Sequence, residues 1–410
     1  MRILYLNQYF LPEIEPSAAK VYEVGRELVK MGHQVTVITG FPNYPSGGIP
    51  SEYRGRLFQR EAWDGIQVLR TALFPASTSH FLLRTLSHFS FLISSLLRSL
   101  GSGPCDIVIC SSPPLEIALA GVSVSWLKRK PFVFEIRDLW PDDVIYLGLL
   151  KGRAPIAIAR WIERLVYRRA SMIVPVSPGF VPYLLNEGVA EWKIRVIVNG
   201  TDVNLFRPEA VRSHVGRRFS AAQGHFTVIY AGTHGLQHHL ETILETARLL
   251  AEYQDIRFLL VGEGSEKAKL LAKRQQLRLT NVQFFPAQPR EKIAVLVAGA
   301  DLCLLHTADM MINTRNIPAK LFDYMAAGRP IVAGVRGQAQ RLVEQTQAGI
   351  VVSPEDAEGM AAAILELYRD SELRVRLGTN GRKYALEHFS RQLIAQQYAQ
   401  LLEEVLCATL

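Results

Sequence analysis

Short apolar runs alternate with helical patterns along this chain, and the alternation starts afresh after a break. In the first half, runs at residues 3–7, 35–39, 66–70, 107–110, 132–136 and 172–176 have the length and composition of buried strands. Between the first two, Val21, Val24 and Leu28 fall at helical spacing within 18–31, ahead of the turn Met31-Gly32-His33. Such alternation implies βαβ units, in which helices cover both faces of a parallel sheet. The pattern pauses at Asn199-Gly200-Thr201-Asp202, and a polar, basic stretch runs through Arg207-Pro208 and His214 to Gly224. It resumes with runs at 227–230, 257–261, 282–285, 301–305 and 330–335, separated by helical patterns such as 240–252 and 265–276. A last amphipathic pattern, 390–406, carries Leu393, Ala395, Tyr398, Leu401, Leu402 and Val405. The expected architecture is α/β: two Rossmann-like, doubly wound domains facing across a cleft, where ligands sit outside the carboxyl ends of the strands. The expected boundaries are 1–200, a linker over 201–224, a second domain over 225–388, and a helix over 389–410 packing back toward the first domain.

Bulk properties narrow the chemistry. A chain of 410 residues is too long for one comfortable core. Hydrophobic content of 49% with 20% charged residues excludes a disordered chain. A net charge of +8 and a pI near 9.3 suit an acidic partner: lipid head groups, nucleotide phosphates or nucleic acid. Cys105, Cys110, Cys303 and Cys407 form no CxxC pair, which argues for a reducing compartment and against structural zinc. The opening apolar run meets Pro12, Glu13 and Glu15 too soon for a secretory signal. The greasy stretch 80–100 is interrupted by Arg84, His88 and Arg98, unlike a membrane span of about 20 mainly apolar residues. The expected location is therefore cytoplasmic.

Common nucleotide-binding signatures are missing. Asn7-Gln8-Tyr9-Phe10-Leu11-Pro12 contains no glycine where a dinucleotide-dependent dehydrogenase needs a Gly-rich turn, and no Gly-Lys-Ser/Thr tripeptide exists for a P-loop. Gly262-Glu263-Gly264, after an apolar run, could border a phosphate or base, or form a plain tight turn. The stretch from Asn316 to Pro330 says more. Pro318 suits a first helical turn, Gly328 a left-handed residue just past the end, and Pro330 a stop, giving about three turns of helix. Lys320 then puts a cation at the positive end of the helix dipole, a placement that makes sense if an anion sits there. Asp323 shares its face and suits sugar hydroxyls; the plain alternative is a surface Lys–Asp pair worth only about 0.2–0.5 kcal/mol.

Together these stretches resemble glycosyltransferase family 4, of the GT-B fold, over nearly the whole length. The resemblance rests on Gly32-His33-Gln34-Val35-Thr36-Val37, Asn199-Gly200-Thr201-Asp202 with Phe206, Tyr230-Ala231-Gly232-Thr233, Val261-Gly262-Glu263-Gly264 and the Lys320-to-Pro330 run. Phe134-Glu135-Ile136-Arg137-Asp138-Leu139-Trp140-Pro141-Asp142 is similar to the bacterial subgroup of N-acetylfucosaminyl and related amino-sugar transferases of surface polysaccharide assembly. The resemblance implies a retaining transfer of an acetamido sugar from a nucleotide diphosphate sugar, a UDP-sugar, to a lipid-linked glycan, with no metal and no cofactor. By the same resemblance Lys320 meets the diphosphate, Asp323 the ribose, Gly232 and Thr233 offer amides to the phosphates, and Gly262, Glu263 and Gly264 border the base. Asp138, beside Arg137, stands near the reacting hydroxyl.

The chain departs from the family in three places. The first of two glutamates eight positions apart is Arg315 here, and the second position is Asp323. The usual Arg and Lys after the Gly232 turn give way to His234-Gly235-Leu236-Gln237-His238-His239, so diphosphate binding leans on Lys320, Arg315 and amides, with His234 at the entrance. The acceptor loop reads Glu13-Ile14-Glu15-Pro16-Ser17 in place of a Gly-Gly pair, which makes Glu13, Glu15, Ser17 and Arg137 the acceptor-side candidates.

Blander roles stand beside several of these. The histidines lack metal-ligand spacing and suit a polar helix entrance; Asp138 could cap the turn before Pro141; Trp126, Trp140 and Trp161 suit a core or a membrane rim better than a sugar platform. From 81 to 100, a broad apolar face with interspersed basic residues fits a helix lying in the interface of an anionic membrane, and an ordinary buried helix is the alternative. The rival functions are a sugar-nucleotide epimerase of the same architecture and a basic membrane-surface or nucleic-acid module without enzymatic activity. The phosphate-helix signature argues against the second rival and against a nucleic-acid partner.

Overall fold

The computed structural model describes residues 1–43, 47–76, 81–212 and 224–408. It divides into two compact units, Met1–Val198 with Arg391–Leu410, and Asn199–Ser390. In the first unit β1 (Arg2–Leu6), β2 (Gln34–Gly40), β3 (Phe58–Trp63), β4 (Ile66–Thr71), β5 (Ile107–Ser112), β6 (Phe132–Ile136) and β7 (Met172–Pro175) form one sheet in the order β3-β4-β2-β1-β5-β6-β7. All neighbours are parallel except β3, which runs antiparallel along β4. The apolar pattern does not announce β3, because an edge strand keeps polar residues and Phe-Gln-Arg-Glu-Ala-Trp has no buried position. Its hairpin turns on Asp64-Gly65, both with positive φ, a two-residue turn that matches the twist of the strands it joins.

Helices α1 (Pro16–Lys30), α2 (Phe81–Leu100), α3 (Glu116–Lys128), α4 (Asp142–Tyr146) and α5 (Arg153–Arg169) link these strands. Phe91 of α2, Ile117 and Val124 of α3, and Ile162 and Val166 of α5 share one core on one side of the sheet. On the other side Val21, Val24 and Leu28 of α1 pack with Ile394, Tyr398 and Leu402 of the C-terminal helix Arg391–Cys407. Burying each such side chain stabilises the unit by about 1.5–3 kcal/mol.

In the second unit β8 (Phe226–Ala231), β9 (Ile256–Val261), β10 (Val282–Phe285), β11 (Leu302–His306), β12 (Ile331–Gly334) and β13 (Gly349–Val352) are all parallel, in the order β10-β9-β8-β11-β12-β13. The order reverses between β8 and β11, and the loops leaving those strands diverge there. Of the stretch expected as a linker, residues 201–212 pack into this unit. Phe206 is fully buried, and the Arg382 guanidinium donates to the carbonyls of Val203 and Phe206 at 3.0 and 2.8 Å. Residues 213–223, with His214, lie outside the described residues. The helix carrying Lys320 is Ala319–Ala326, about two turns and shorter than expected, because Pro318 stands at its N-cap and not inside it. Gly328 takes the expected left-handed conformation, with φ +66°.

Candidate functional site

Lys320 turns away from Asp323 and toward the end of β8. Its Nζ donates to the Tyr230 hydroxyl at 2.6 Å and lies 3.8 Å from the centre of the Tyr230 ring; that hydroxyl donates in turn to the Thr233 carbonyl at 2.9 Å. No carboxylate stands against this ammonium among the described residues. Desolvation lowers its pKa to about 7. This arrangement overturns the surface Lys–Asp pair: the cation is held against an aromatic face with its charge uncompensated.

Asp323 has other partners. Its Oδ1 accepts from Thr201 Oγ1 at 2.5 Å and from Arg290 Nη2 at 3.3 Å. Arg315 ends the short helix Met311–Arg315, with Nη2 3.6 Å from Met311 Sδ. Glu263 is half-exposed and paired with Lys267 at 2.6 Å, while Lys267 also donates to the Gly262 carbonyl at 2.8 Å.

The glycines of Gly262-Glu263-Gly264 serve the protein's own backbone. A Cβ on Gly262 would fall 1.8 Å from the Gly232 carbonyl oxygen, and one on Gly264 would fall 2.2 Å from that of His234. The loops after β8 and β9 are laced together by Gly232 N to Val261 O at 2.9 Å, His234 N to Glu263 O at 2.8 Å and Glu266 N to His234 O at 2.9 Å. The Gly232 amide is therefore engaged, and of the two amides expected to meet phosphate only that of Thr233 remains. Gly232 instead makes room for the cation. With φ +150°, a Cβ there would sit 2.4 Å from Lys320 Nζ and displace the ammonium.

His234 is not at a polar entrance. It is fully buried against Phe284 and Tyr230, and both of its ring nitrogens lack a hydrogen-bond partner. Burial, with Lys267 and Lys320 nearby, lowers its pKa to about 4, so the ring is neutral. His238 Nδ1 is also unpartnered, while the His238 carbonyl accepts from His306 Nδ1 at 2.8 Å. Tyr230, Lys320, His234 and His238 thus gather where the sheet order reverses, with donors and acceptors that the fold leaves unsatisfied. Among the described residues no group of three or more His, Cys, Asp or Glu is placed to hold a metal.

In the first unit Asp138 and Arg137 follow directly on β6. Burial raises the Asp138 pKa to about 6, against the lowering effect of Arg137 and with a further push from Glu15. The side chain that caps this turn is Asp143, which accepts from Leu139 N at 3.0 Å. Glu13, Glu15 and Ser17 have local roles. Glu13 is buried and accepts from the Phe10 and Asn43 amides at 3.3 and 3.0 Å. Glu15 caps α1, accepting from Ser17 N at 2.5 Å, from Ala18 N at 3.2 Å and from the Ser17 hydroxyl. Contact of Glu13, Glu15 or Ser17 with a substrate would have to open these bonds.

A buried ion cluster beneath Arg137 and Asp138 was missed from the sequence. Lys20 Nζ lies 3.0 Å from Glu135 Oε2, Ser111 donates to Glu135 Oε1 at 2.6 Å, Tyr5 donates to Oε2 at 3.3 Å, and Tyr398 of the C-terminal helix also donates to Oε2. Burial alone would raise the Glu135 pKa, but Lys20, Arg137 and these hydroxyls hold it well below the usual carboxylate range. No spacing rule joins positions 5, 20, 111, 135 and 398; the one available signal was a lone glutamate inside the apolar run 132–136.

Helix α2 is apolar on two sides. Phe91 is buried, whereas Leu83, Leu86, Phe89, Ile93, Leu97 and Leu100 are exposed. Its basic residues do not all rim that outer face: His88 is buried with Nδ1 3.7 Å from Glu116, and Arg98 lies over the Phe58 ring at 5.5 Å. Trp140 packs on the core, but Trp126 and Trp161 are exposed, which excludes the core reading for these two. No helix among the described residues is long and apolar enough to cross a membrane.

Comparison with known proteins closes the identification. Residues 17–200 match the glycosyl transferase 4-like domain, and residues 217–384 match the glycosyl transferases group 1 family. A putative colanic acid biosynthesis glycosyl transferase, WcaI of Escherichia coli, is 26% identical over 97% of this chain and 98% of its own length. An MMP alpha-(1->4)-mannosyltransferase of Mycolicibacterium hassiacum is 25% identical over 99% of this chain and 98% of its own. The crystal structure of Anabaena Alr3699/HepE in complex with UDP-glucose superposes with a TM-score of 0.73 at 17% identity, over 98% of this chain and 100% of that one. Sucrose-phosphate synthase of Thermosynechococcus elongatus gives a TM-score of 0.72 at 19% identity, over 99% of both chains. The chain belongs to the GT-B glycosyltransferases of family 4.

Proposed function

We propose that this transferase moves an acetamido sugar from a UDP-sugar, with retention at the anomeric carbon, to a lipid-linked glycan in surface polysaccharide assembly. One observation carries the donor side: a desolvated ammonium, Lys320, fixed on the Tyr230 ring with no carboxylate among the described residues to neutralise it. Such a cation gains most from an anion that arrives with its own negative charge, as a nucleoside diphosphate does. One relative with a full-length match is named for colanic acid biosynthesis, and a structural neighbour is a complex with UDP-glucose, which supports the polysaccharide setting and the donor class.

In this reading Lys320, the Thr233 amide, His234 and the helix N-terminus at Ala319 meet the diphosphate, and Gly262, Glu263 and Gly264 shape the wall near the base. Arg315 faces the phosphates, and Asp323 accepts from a ribose hydroxyl. The bond from the anomeric carbon to the phosphate oxygen breaks, the acceptor oxygen bonds to the same face of that carbon, and the acceptor proton passes to the departing phosphate. Asp138 and Arg137 orient the acceptor hydroxyl. Charge on the leaving group is met by Lys320 and by amide donors, so transfer needs no divalent metal. The exposed outer face of α2 seats the protein peripherally on the inner surface of the plasma membrane.

Calorimetric titration of UDP, GDP and ADP into the wild type and Lys320→Ala tests the reading. A charge-assisted contact is worth about 1.5–3 kcal/mol, so affinity for the correct diphosphate should fall about ten- to a hundredfold in folded Lys320→Ala. Wild-type affinity there overturns the donor site. Loss of transfer in excess chelator, restored by magnesium or manganese, overturns metal independence.

A further inference from the structure

The segment from α4 into α5 combines features that the fold itself does not use. Its inner side is fully committed. Ile162 and Val166 enter the core, Arg160 binds Asp142 at 2.8 Å and Glu163 at 3.1 Å, and Asp143 caps the turn after Asp138. Exposed along it are Tyr146 at 51%, Leu149 at 47%, Ile158 at 60% and Trp161 at 58%, four large apolar side chains within 16 residues of chain. Lys151 and Arg153 stand exposed between them without ion-pair partners among the described residues, whereas the nearby carboxylates are taken: Asp142 and Glu163 by Arg160, and Glu187 by Arg164 at 3.5 Å. The patch is therefore apolar and net cationic.

Topology fixes where it lies. The crossovers through α2 and α5 join parallel strands, so both helices run antiparallel to the sheet and begin at its carboxyl edge. Arg137 and Asp138 leave β6 at that same edge, and α4 begins four residues after Asp138. Helices α2, α3 and α5 also cover the same face of the sheet, since all three feed one core. The apolar first turns of α5 and the exposed Leu83, Leu86 and Phe89 in the first half of α2 thus belong to one side and one end of the unit.

We propose that the α4–α5 segment is a second membrane-seating element, which inserts Ile158 and Trp161 into an anionic bilayer and brings the carboxyl edge at Asp138 to the lipid surface. An aromatic ring with a polar edge beside an aliphatic residue suits the head-group level, and cations flanking an apolar face are drawn to anionic lipid. The consequence for turnover rests on the lipid-linked acceptor of the proposed function; the membrane contact does not.

The test uses the full chain with vesicles of phosphatidylcholine alone or mixed with phosphatidylglycerol, with no sugar substrate. Ile158→Ser with Trp161→Ser is expected to lower partition onto the mixed vesicles about tenfold or more, with an unchanged unfolding midpoint because both sites are exposed. Lys151→Glu with Arg153→Glu is expected to weaken binding on the mixed vesicles only. Brominated acyl chains should quench wild-type fluorescence, and Trp161→Phe should lose much of that quenching while still binding. Unchanged partition of the serine variant, or equal quenching in Trp161→Phe, overturns the proposal. So does a fall in self-association in that variant when the wild type binds no vesicles, because the face then holds a second copy. If vesicle binding behaves as expected but no sugar reaches a lipid-linked acceptor, this assignment stands and the acceptor reading fails.

Discussion

Each unit draws a lysine out of bulk water, Lys20 fully buried and Lys320 partly so, and the two lysines are treated in opposite ways. Lys20, on α1, is sealed beside Glu135, whose remaining valences go to Ser111, Tyr5 and Tyr398. Lys320 has an aromatic ring and a phenol, and no counter-charge among the described residues. Burial lowers the pKa of both, but Glu135 opposes the fall at Lys20 and nothing opposes it at Lys320. A buried ion with all its partners holds structure together; one left short has free energy to release to a ligand. The first cluster ties the C-terminal helix into its unit, and the second is the feature on which the proposed donor site rests.

The largest test of this contrast is Glu135→Gln. It leaves Lys20 and Arg137 without their shared counter-charge, and we expect a loss of about 3–5 kcal/mol in denaturant unfolding. Lys320→Met should change stability by less than about 1 kcal/mol, since it removes a charge that burial already disfavours. Equal losses in the two variants would erase the distinction. The glutamate's contribution should also fade in acid: its folded pKa is depressed, so the stability is present above the ordinary carboxylate range and is lost as pH falls through the folded value.

Asp138→Asn sharpens the catalytic side. With its pKa at about 6, the wild-type carboxylate is the ionised form above that pH, so kcat/KM should rise as pH increases through about 6. The variant should lose that limb and turn over about a hundredfold more slowly. A limb that survives in Asp138→Asn belongs to another group.

A smaller effect follows from Lys320 itself. With its pKa at about 7 in the free protein, the ammonium is already charged below that pH and must take up a proton to bind a diphosphate above it. Affinity should be flat below 7 and fall by up to about tenfold per pH unit above it, with heats that depend on the buffer's ionisation enthalpy. Lys320→Ala should remove the slope; a slope that persists there would implicate a neighbouring group. The smallest change expected is for Asp323→Asn, a loss of donor affinity of about two- to fivefold, because the amide still accepts from Thr201 and from a ribose hydroxyl. Arg315→Ala reports whether Arg315 does phosphate work: a loss as large as that of Lys320→Ala would say that it does.

Much of this architecture was legible in the sequence. The apolar run 132–136 is β6, residue for residue, because a strand buried on both faces must be largely apolar; the run 282–285 is likewise β10, although at the sheet edge only Val282 of it is buried. Strand β3 escaped because an edge strand has no such requirement, and β13 because four half-buried residues make too short a signal. The helix after Pro318 was found from Pro318, Lys320 and Gly328, yet its expected length and the pairing of Lys320 with Asp323 were not what the structure holds. The glycines of the 262–264 turn were visible as a close approach or a tight turn, and the packed loops add what the sequence did not show: a neighbouring backbone fills the space beside Gly262 and Gly264.

The chain by itself determined the type of the repeating βα units, the site of the break between the two sets and the family they belong to. Those follow from periodicity and from turn residues, which act over a few positions. Tertiary structure alone decided which polar side chains would be satisfied. Glu135 meets Lys20 and Tyr398 across 115 and 263 positions of chain, whereas Lys320 donates to Tyr230 and meets no carboxylate among the described residues. Hydrogen bonds and ion pairs act over a few ångströms in space, whatever the distance along the sequence, so the same residue type became a compensated structural tie in one unit and a cation without a counter-charge among the described residues in the other.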